Sequence, residues 1–142
     1  MQTVRPLSPE EEALLRHLLS EDFEGAPALR QQIPQVEVIG PWEKGSASIK
    51  LRVPDHVPRA SLPDGPLPVD AWAFDESRKP LGTLLVWAKD GRIAAIEYGW
   101  VTNEMPGSLP SAATVGVRPS AGDYFGRPGT EGYRFPERSP RL

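Results

Sequence analysis

The chain contains no cysteine among its 142 residues, and this absence excludes a disulfide framework, a thiolate zinc site and a cysteine nucleophile together. No apolar run is long enough to cross a membrane, and residues 1–8 lack the apolar segment of a signal peptide. We therefore expect a cytoplasmic protein without membrane contact.

Basic residues are neither abundant nor concentrated in a stripe. The 16 Lys and Arg residues face 19 Asp and Glu residues, and the net charge is −3. Nucleic-acid binding depends largely on neutralising phosphates, so nucleic acid is not an expected partner. The two histidines lack a second histidine at ligand spacing, and no calcium-type carboxylate loop is present. Neither a metal nor any other cofactor is expected.

Residues 1–105 read as one ordered domain, and residues 106–142 as an extension rich in proline and glycine. Five arginines and three carboxylates give the extension a net charge of +2, which leaves −5 for residues 1–105. Residues 112–117 are apolar enough to form an edge strand. The extension is either a solvated coil or partly docked, with its aromatic residues on the apolar face of a hairpin described below. These aromatic residues are Tyr124, Phe125, Tyr133 and Phe135.

Two helices are predicted near the start of the chain. Ser8 and Glu11 have the spacing of a capping box, Pro9 suits the first helical position, and leucines at helical spacing follow, so a helix is expected over residues 9–20. A shorter helix should follow Gly25 and end before Pro34.

About five strands should follow the helices. Alternating or continuous apolar runs place them at residues 35–39, 46–53, 69–75, 81–89 and 92–101. The last two flank Asp90-Gly91, a dipeptide typical of a type I′ hairpin turn. The predicted fold class is α+β, with two N-terminal helices packed on a mostly antiparallel sheet and a Pro/Gly-rich C-terminal extension.

Both faces of this hairpin are mainly apolar. With the turn centred on Asp90-Gly91, Leu85 pairs with Ile96, and Trp87 shares one face with Tyr98 and Trp100. An antiparallel hairpin without a wet face is covered on both sides or contacts another molecule. These five residues are therefore the predicted partner-binding surface, for another protein or for a second copy of the chain.

The leading hypothesis for function is a non-enzymatic protein-interaction module, such as an adaptor or a toxin-neutralising (immunity-type) protein. No Ser-His-Asp set can be assembled from the sequence, and the segment from Gly40 to Ser46 lacks the lysine position and the following helix of a phosphate loop. An enzyme is therefore not favoured, although it stays open.

The alternative is a small enzyme or small-ligand binder that uses the proline-rich loop around Asp55 and His56. A histidine beside a carboxylate is able to act as a general base, and stiff loops often carry sites. The other histidine, His17, lies between leucine pairs of the first helix and is expected to be solvated or at a boundary.

Five short segments also carry a family resemblance. They are residues 7–11, 22–23, 29–30, 84–86 and 89–93, and a Leu-Leu pair, Gly25 and Gln32 lie between them. Spread over residues 7–101, they resemble small uncharacterised proteins common in high-GC actinobacteria. Many members of that group carry a cysteine- and glycine-rich turn between the first two strands, which here contains no cysteine. The resemblance implies a bacterial α+β fold with no known activity.

Overall fold

The computed structural model describes residues 4–120 and 130–136. Two α-helices, α1 (Pro9–Leu18) and α2 (Ala26–Gln32), lie beside an antiparallel sheet that has eight strands in this part of the chain. In chain order, strands β1 to β8 are Arg5–Pro6, Glu37–Pro41, Ile49–Arg52, Gly65–Pro66, Val69–Phe74, Pro80–Lys89, Arg92–Trp100 and Val115–Pro119. The predicted α+β class is confirmed. The predicted number of about five strands was too low, because the two-residue strands β1 and β4 show no alternation. Strand β8 overlaps residues 112–117, which the sequence indicates as an edge strand of the extension.

Helix α1 begins as its sequence predicts. The Ser8 hydroxyl accepts a hydrogen bond from the backbone N–H of Glu11, and the Glu11 carboxylate accepts one from the backbone N–H of Ser8. This capping box pairs amides that would otherwise lack partners at the helix start. The leucines of α1 then face the core, and Leu14, Leu15 and Leu18 are almost fully buried.

The sheet order is β1-β2-β3-β7-β6-β5-β8, with β4 paired to β6 beyond the end of β5. We call the face that carries Leu84, Val86 and Ile96 the inner face. These side chains are buried in one cluster with the apolar residues of both helices, and Leu18 of α1 lies close to Leu84 and Val86. The core therefore lies between the helices and the inner face, and the opposite face is the outer face.

The predicted register of the β6–β7 hairpin is right at the turn and wrong beyond it. Lys89 pairs with Arg92 as predicted, but a β-bulge then places Trp87 opposite Ala95 instead of Ala94. Side chains alternate with a period of two, so this one-residue shift moves the rest of β7 to the other face relative to β6. The five residues predicted to form one partner-binding surface are therefore divided between the two faces.

Strand β8 lies at an edge of the sheet, paired with β5, inside the segment that the sequence assigns to the extension. Its residues Val115 and Val117 are completely buried. The backbone N–H of Arg134 donates to the carbonyl of Val117 at 2.8 Å, and the reverse bond is 3.0 Å long. Residues 130–136 thus contact the sheet through a backbone bridge between Arg134 and Val117.

Two of the four aromatic residues of the extension lie in the described part, and they pack on β5 and β8. The ring centroids of Tyr133 and Phe135 lie 5.6 Å and 5.8 Å from that of Phe74. The Tyr133 hydroxyl donates to the Asp70 carboxylate at 2.8 Å. A β-carbon on Gly116 would lie 2.6 Å from that of Tyr133, so glycine permits this approach. The contacts differ from the predicted ones on the hairpin, while Tyr124 and Phe125 lie outside the described residues.

Candidate functional site

One groove lies where the last residues of β7 extend past their neighbouring strand. Strand β3 pairs with β7 only at residues 95 and 96, so the edge of β7 from residue 97 onward is not covered by a strand in the part of the chain that the structure describes. The loop that joins β2 to β3 lies beside this edge instead. The Ser48 hydroxyl accepts a hydrogen bond from the backbone N–H of Tyr98 at 2.8 Å. The Ser48 carbonyl accepts one from the backbone N–H of Trp42.

We call this depression, with a volume of about 230 Å³, the aromatic groove. It crosses the edge of β7 and therefore collects side chains from both faces of the sheet. Its lining comprises Trp42, Glu43, Lys44, Ser46, Ser48, Glu97, Tyr98, Gly99, Trp100 and Met105. Three aromatic residues and a methionine thus share one groove with two carboxylates and one lysine.

The Glu97 carboxylate is held in place by its neighbours. The indole N–H of Trp87 donates to Oε1 of Glu97 at 2.9 Å. The ring of Trp87 in turn packs against that of Trp42, with centroids 6.1 Å apart and planes tilted by 59°. Among the described residues, neither Glu97 nor Glu43 has a basic side chain within salt-bridge distance. The groove therefore presents a carboxylate that is oriented by Trp87 and forms no salt bridge with a described residue, although Lys44 lies in the same lining.

The residues predicted as the partner-binding surface occupy three environments. Leu85 and Trp87 lie half-buried on the outer face, whereas Ile96 and Tyr98 are buried in the core. Burial raises the pKa of the Tyr98 phenol. Trp100, at the strand end, remains 40% exposed. Only Tyr98 and Trp100 reach the aromatic groove.

Sequence reasoning missed the contributions of Trp42, Glu97 and Met105 to this groove. The sequence of residues 40–46 around Trp42 shows only that this segment is not a phosphate loop, and the predicted hairpin register places Glu97 on the face opposite to Trp87. Met105 follows the last predicted strand, and its side chain is 54% exposed. Exposure of an apolar side chain cannot be read from sequence, because it depends on which parts of the chain fold over it.

The Asp55-His56 loop does not assemble an acid-base pair. Both side chains are exposed, and neither forms a hydrogen bond within residues 4–120 and 130–136. An open groove of about 290 Å³ includes His56 but not Asp55. The guanidinium of Arg92 donates to the Asp55 and Val57 carbonyls, so the loop backbone is held from the hairpin. The two candidate residues thus remain separate surface groups on an anchored loop.

Another cavity, of about 470 Å³, lies between the start of α1, the segment before β3 and residues 107–111. Two of its three charged side chains are paired with each other, since the Arg5 guanidinium donates two hydrogen bonds to the Glu11 carboxylate at 2.7 Å and 2.9 Å, and the third is the exposed Glu10. This pairing lowers the pKa of Glu11, which also accepts from the Ser8 backbone. The cavity therefore presents mainly the paired groups of the helix cap, with Glu10 as a solvent-exposed carboxylate at the helix start.

His17 is buried, and the expectation of a solvated or boundary histidine was wrong. Its Nε2 donates to the Val115 carbonyl at 2.7 Å, because β8 folds back beside α1. Burial has the largest effect and lowers the pKa of the imidazole, and the positive charge of Arg134 also lowers it. The hydrogen bond to the Val115 carbonyl and the negative charge of Glu21 raise it. The pKa of His17 is lowered overall, so the folded protein favours the neutral imidazole ring.

We expect acidification from about pH 7.5 to about pH 5.5 to decrease the free energy of unfolding. An unfolded histidine binds a proton below about pH 6.5, whereas folded His17 resists protonation, so the unfolded state takes up more protons. The loss begins near the unfolded pKa and stops growing once the folded ring is also protonated. Urea titrations at both pH values measure it.

The matched variants for this test are His17→Gln and His56→Gln. Glutamine at residue 17 keeps an N–H donor for the Val115 carbonyl and does not titrate, so the loss between the two pH values should shrink. His56 is exposed, and its replacement should leave the loss unchanged. An equal loss in the wild type and His17→Gln would contradict the assignment.

Comparison with known proteins gives no relative from which a function could be transferred: no protein-family model, curated protein or solved structure matches this chain. Within residues 4–120 and 130–136, no three histidine or acidic side chains cluster as metal ligands would. Neither helix has the length and apolar character needed to cross a membrane. The geometry of the grooves is therefore what indicates a function for this chain.

Proposed function

We propose that the protein is an interaction module that binds a partner protein through the aromatic groove. One observation carries the proposal. Four large apolar side chains are exposed in the described part of the chain, and three of them, Trp100, Val101 and Met105, lie within six residues beside this groove or in its lining. Exposed apolar side chains that cluster around a depression are typical of protein-binding surfaces.

The composition of the groove supports a protein partner. Tryptophan, tyrosine and methionine are enriched in the buried centres of protein interfaces, and tryptophan often dominates their binding energy. The Tyr98 backbone N–H is already bound by Ser48, so the side chains rather than strand addition would provide most of the affinity. The ring of Trp42 packs against that of Trp87, which supports this wall of the groove before a partner binds.

Electrostatics favours a partner with a basic surface. Residues 1–105 carry a net charge of −5, and the groove contains two carboxylates against one lysine. Complementary charge speeds association and disfavours wrong partners. An adaptor or a toxin-neutralising protein would use such a surface, and both remain within the proposal.

Replacing Trp100 with alanine should weaken partner binding by about 2 kcal/mol, roughly 30-fold in Kd, since a tryptophan at the centre of an interface often contributes this much. Trp100 is 40% exposed, so the fold should lose little. The partner is first captured on the immobilised wild-type protein and purified. Its Kd is then measured by titration calorimetry against each variant.

Val4→Ala is the matched control, because Val4 is 44% exposed and lies outside the aromatic groove. It should bind the partner as the wild type does. Unchanged binding by folded Trp100→Ala and Met105→Ala variants would show that the groove is not the interface. Sedimentation equilibrium tests a second copy of the chain as the partner, in which case both variants should shift the protein towards monomer.

A further inference from the structure

We propose that the aromatic groove takes an arginine side chain of the partner protein. This inference rests on the proposed function and adds the chemistry that the groove recognises. Three aromatic residues line the groove together with Glu97, whose carboxylate has no basic partner among the described residues. Aromatic faces and an unpaired carboxylate attract the same class of ligand, which is a cation.

The Trp87 hydrogen bond makes Glu97 a positioned acceptor rather than a mobile surface charge. It engages Oε1 and fixes the carboxylate, while no hydrogen bond to Oε2 is present in the described part of the chain. An apolar or anionic partner residue would cover this carboxylate without pairing it, and covering an unpaired charge is unfavourable. A cation pairs with it and also contacts the rings of the groove.

Arginine fits this groove better than lysine does. A guanidinium is planar and weakly hydrated, so it stacks on a ring and still donates to a carboxylate in its own plane. An ammonium is compact and strongly hydrated, and the walls of Trp42, Trp100 and Met105 offer little to replace its water. The open shape of the groove also suits a side chain that enters from a partner's surface.

Lys44 allows a test in which the affinity for arginine should increase instead of decrease. Its ammonium is the one basic group in the lining of the groove, and it has no salt bridge among the described residues. It repels an incoming guanidinium and competes for the two carboxylates. Removing this charge in Lys44→Gln should therefore tighten arginine binding by about 2-fold, since like charges near a surface interact modestly. A damaged fold cannot produce a gain in affinity.

The probes are short end-blocked peptides, Gly-Ser-Arg-Ser-Gly and its citrulline and lysine counterparts. Citrulline keeps the shape of arginine without its charge. Binding is followed at low salt through the NMR signals of the four tryptophan indole N–H groups, of which Trp42, Trp87 and Trp100 lie in or beside the groove and Trp72 does not line it. The citrulline peptide should bind about 10-fold more weakly than the arginine peptide, and the lysine peptide should lie between them. Added salt should weaken arginine binding.

Glu97→Gln should weaken binding of the arginine peptide about 5-fold, because the charge is lost. The amide oxygen of glutamine is still able to accept the hydrogen bond from the Trp87 indole N–H. Glu24→Gln removes an exposed carboxylate outside the groove and should change nothing. Equal binding of the arginine and citrulline peptides, or equal binding by the wild type and Glu97→Gln, would overturn the inference.

The two proposals fail in distinguishable ways. If the purified partner needs Trp100 and Met105 but is indifferent to Glu97→Gln and Lys44→Gln, the interaction surface stands and the arginine inference is wrong. If the arginine peptide binds as expected but no partner protein depends on Trp100, the groove binds guanidinium groups and the proposed function is wrong. Both proposals are supported if Glu97→Gln lowers the affinity and Lys44→Gln raises it, for the arginine peptide and for the partner protein alike.

Discussion

Replacing Gln32 with leucine is expected to lower the free energy of unfolding by about 3 kcal/mol, since it removes a buried group that satisfies several backbone atoms at once. Gln32 is completely buried. Its amide nitrogen donates to the carbonyls of Gly91 at 2.8 Å and Pro58 at 3.1 Å, and its amide oxygen accepts from Ile93 N–H at 3.1 Å. The side chain thus joins α2, the proline-rich loop and the hairpin turn.

Leucine has a similar volume but no polar atoms, so it fills the space and leaves the buried Ile93 N–H without its acceptor. Gln31→Leu is the matched control, because Gln31 is exposed in the same turn of α2 and its replacement should change stability by less than about 0.5 kcal/mol. Urea unfolding followed by circular dichroism measures both. Equal midpoints for the two variants would mean that the three hydrogen bonds contribute little.

Replacing Gly91 with alanine should destabilise the protein by a comparable amount, about 3 kcal/mol, from backbone strain and overpacking together. Asp90 and Gly91 both have positive φ angles, 52° and 73°, as the predicted type I′ turn requires. A β-carbon at residue 91 would overlap the Ala60 carbonyl oxygen and lie 2.9 Å from the Arg59 β-carbon. The close approach lets the Gly91 carbonyl accept the backbone N–H of Ala60 at 2.8 Å.

Gly45→Ala separates the two contributions to this effect. Gly45 has a similar φ of 80°, but the nearest atom to an added β-carbon is the Met105 methyl, at 3.9 Å. This variant should therefore show the cost of the left-handed backbone alone, about 1 kcal/mol. Thermal unfolding of both variants gives the comparison. If Gly45→Ala is destabilised as much as Gly91→Ala, the contact with the loop is not the cause.

Local sequence signals predicted the elements whose geometry is decided within a few residues. The capping box at Ser8 starts α1 because its hydrogen bonds span three residues, and Asp90-Gly91 forms the turn because both residues tolerate positive φ. The strands nearest to this turn were located to within a residue for the same reason. The loop predicted around Asp55 and His56 is present, but nothing in the sequence could show whether the two side chains are in contact.

The register of the β6–β7 hairpin could be predicted from local sequence only at the turn. The turn sets the pairing of Lys89 and Arg92, but no residue type near Ala94 marks the bulge. Because strand faces alternate, one inserted residue moved Glu97 next to Trp87 and placed Tyr98 in the core. The candidate groove follows from that shift, so its carboxylate could not have been identified from the alternation of β7 alone.

By itself, the sequence determined the α+β class, the start of α1, the hairpin turn and the absence of cysteine chemistry, because composition and short-range hydrogen bonding decide these properties. Only the tertiary structure decided that β8 buries His17, that Gln32 joins three segments, and that Trp42, Glu97, Trp100 and Met105 line one groove. These contacts join residues far apart in the chain. Their formation depends on how helices, strands and loops pack together, which local propensity does not encode.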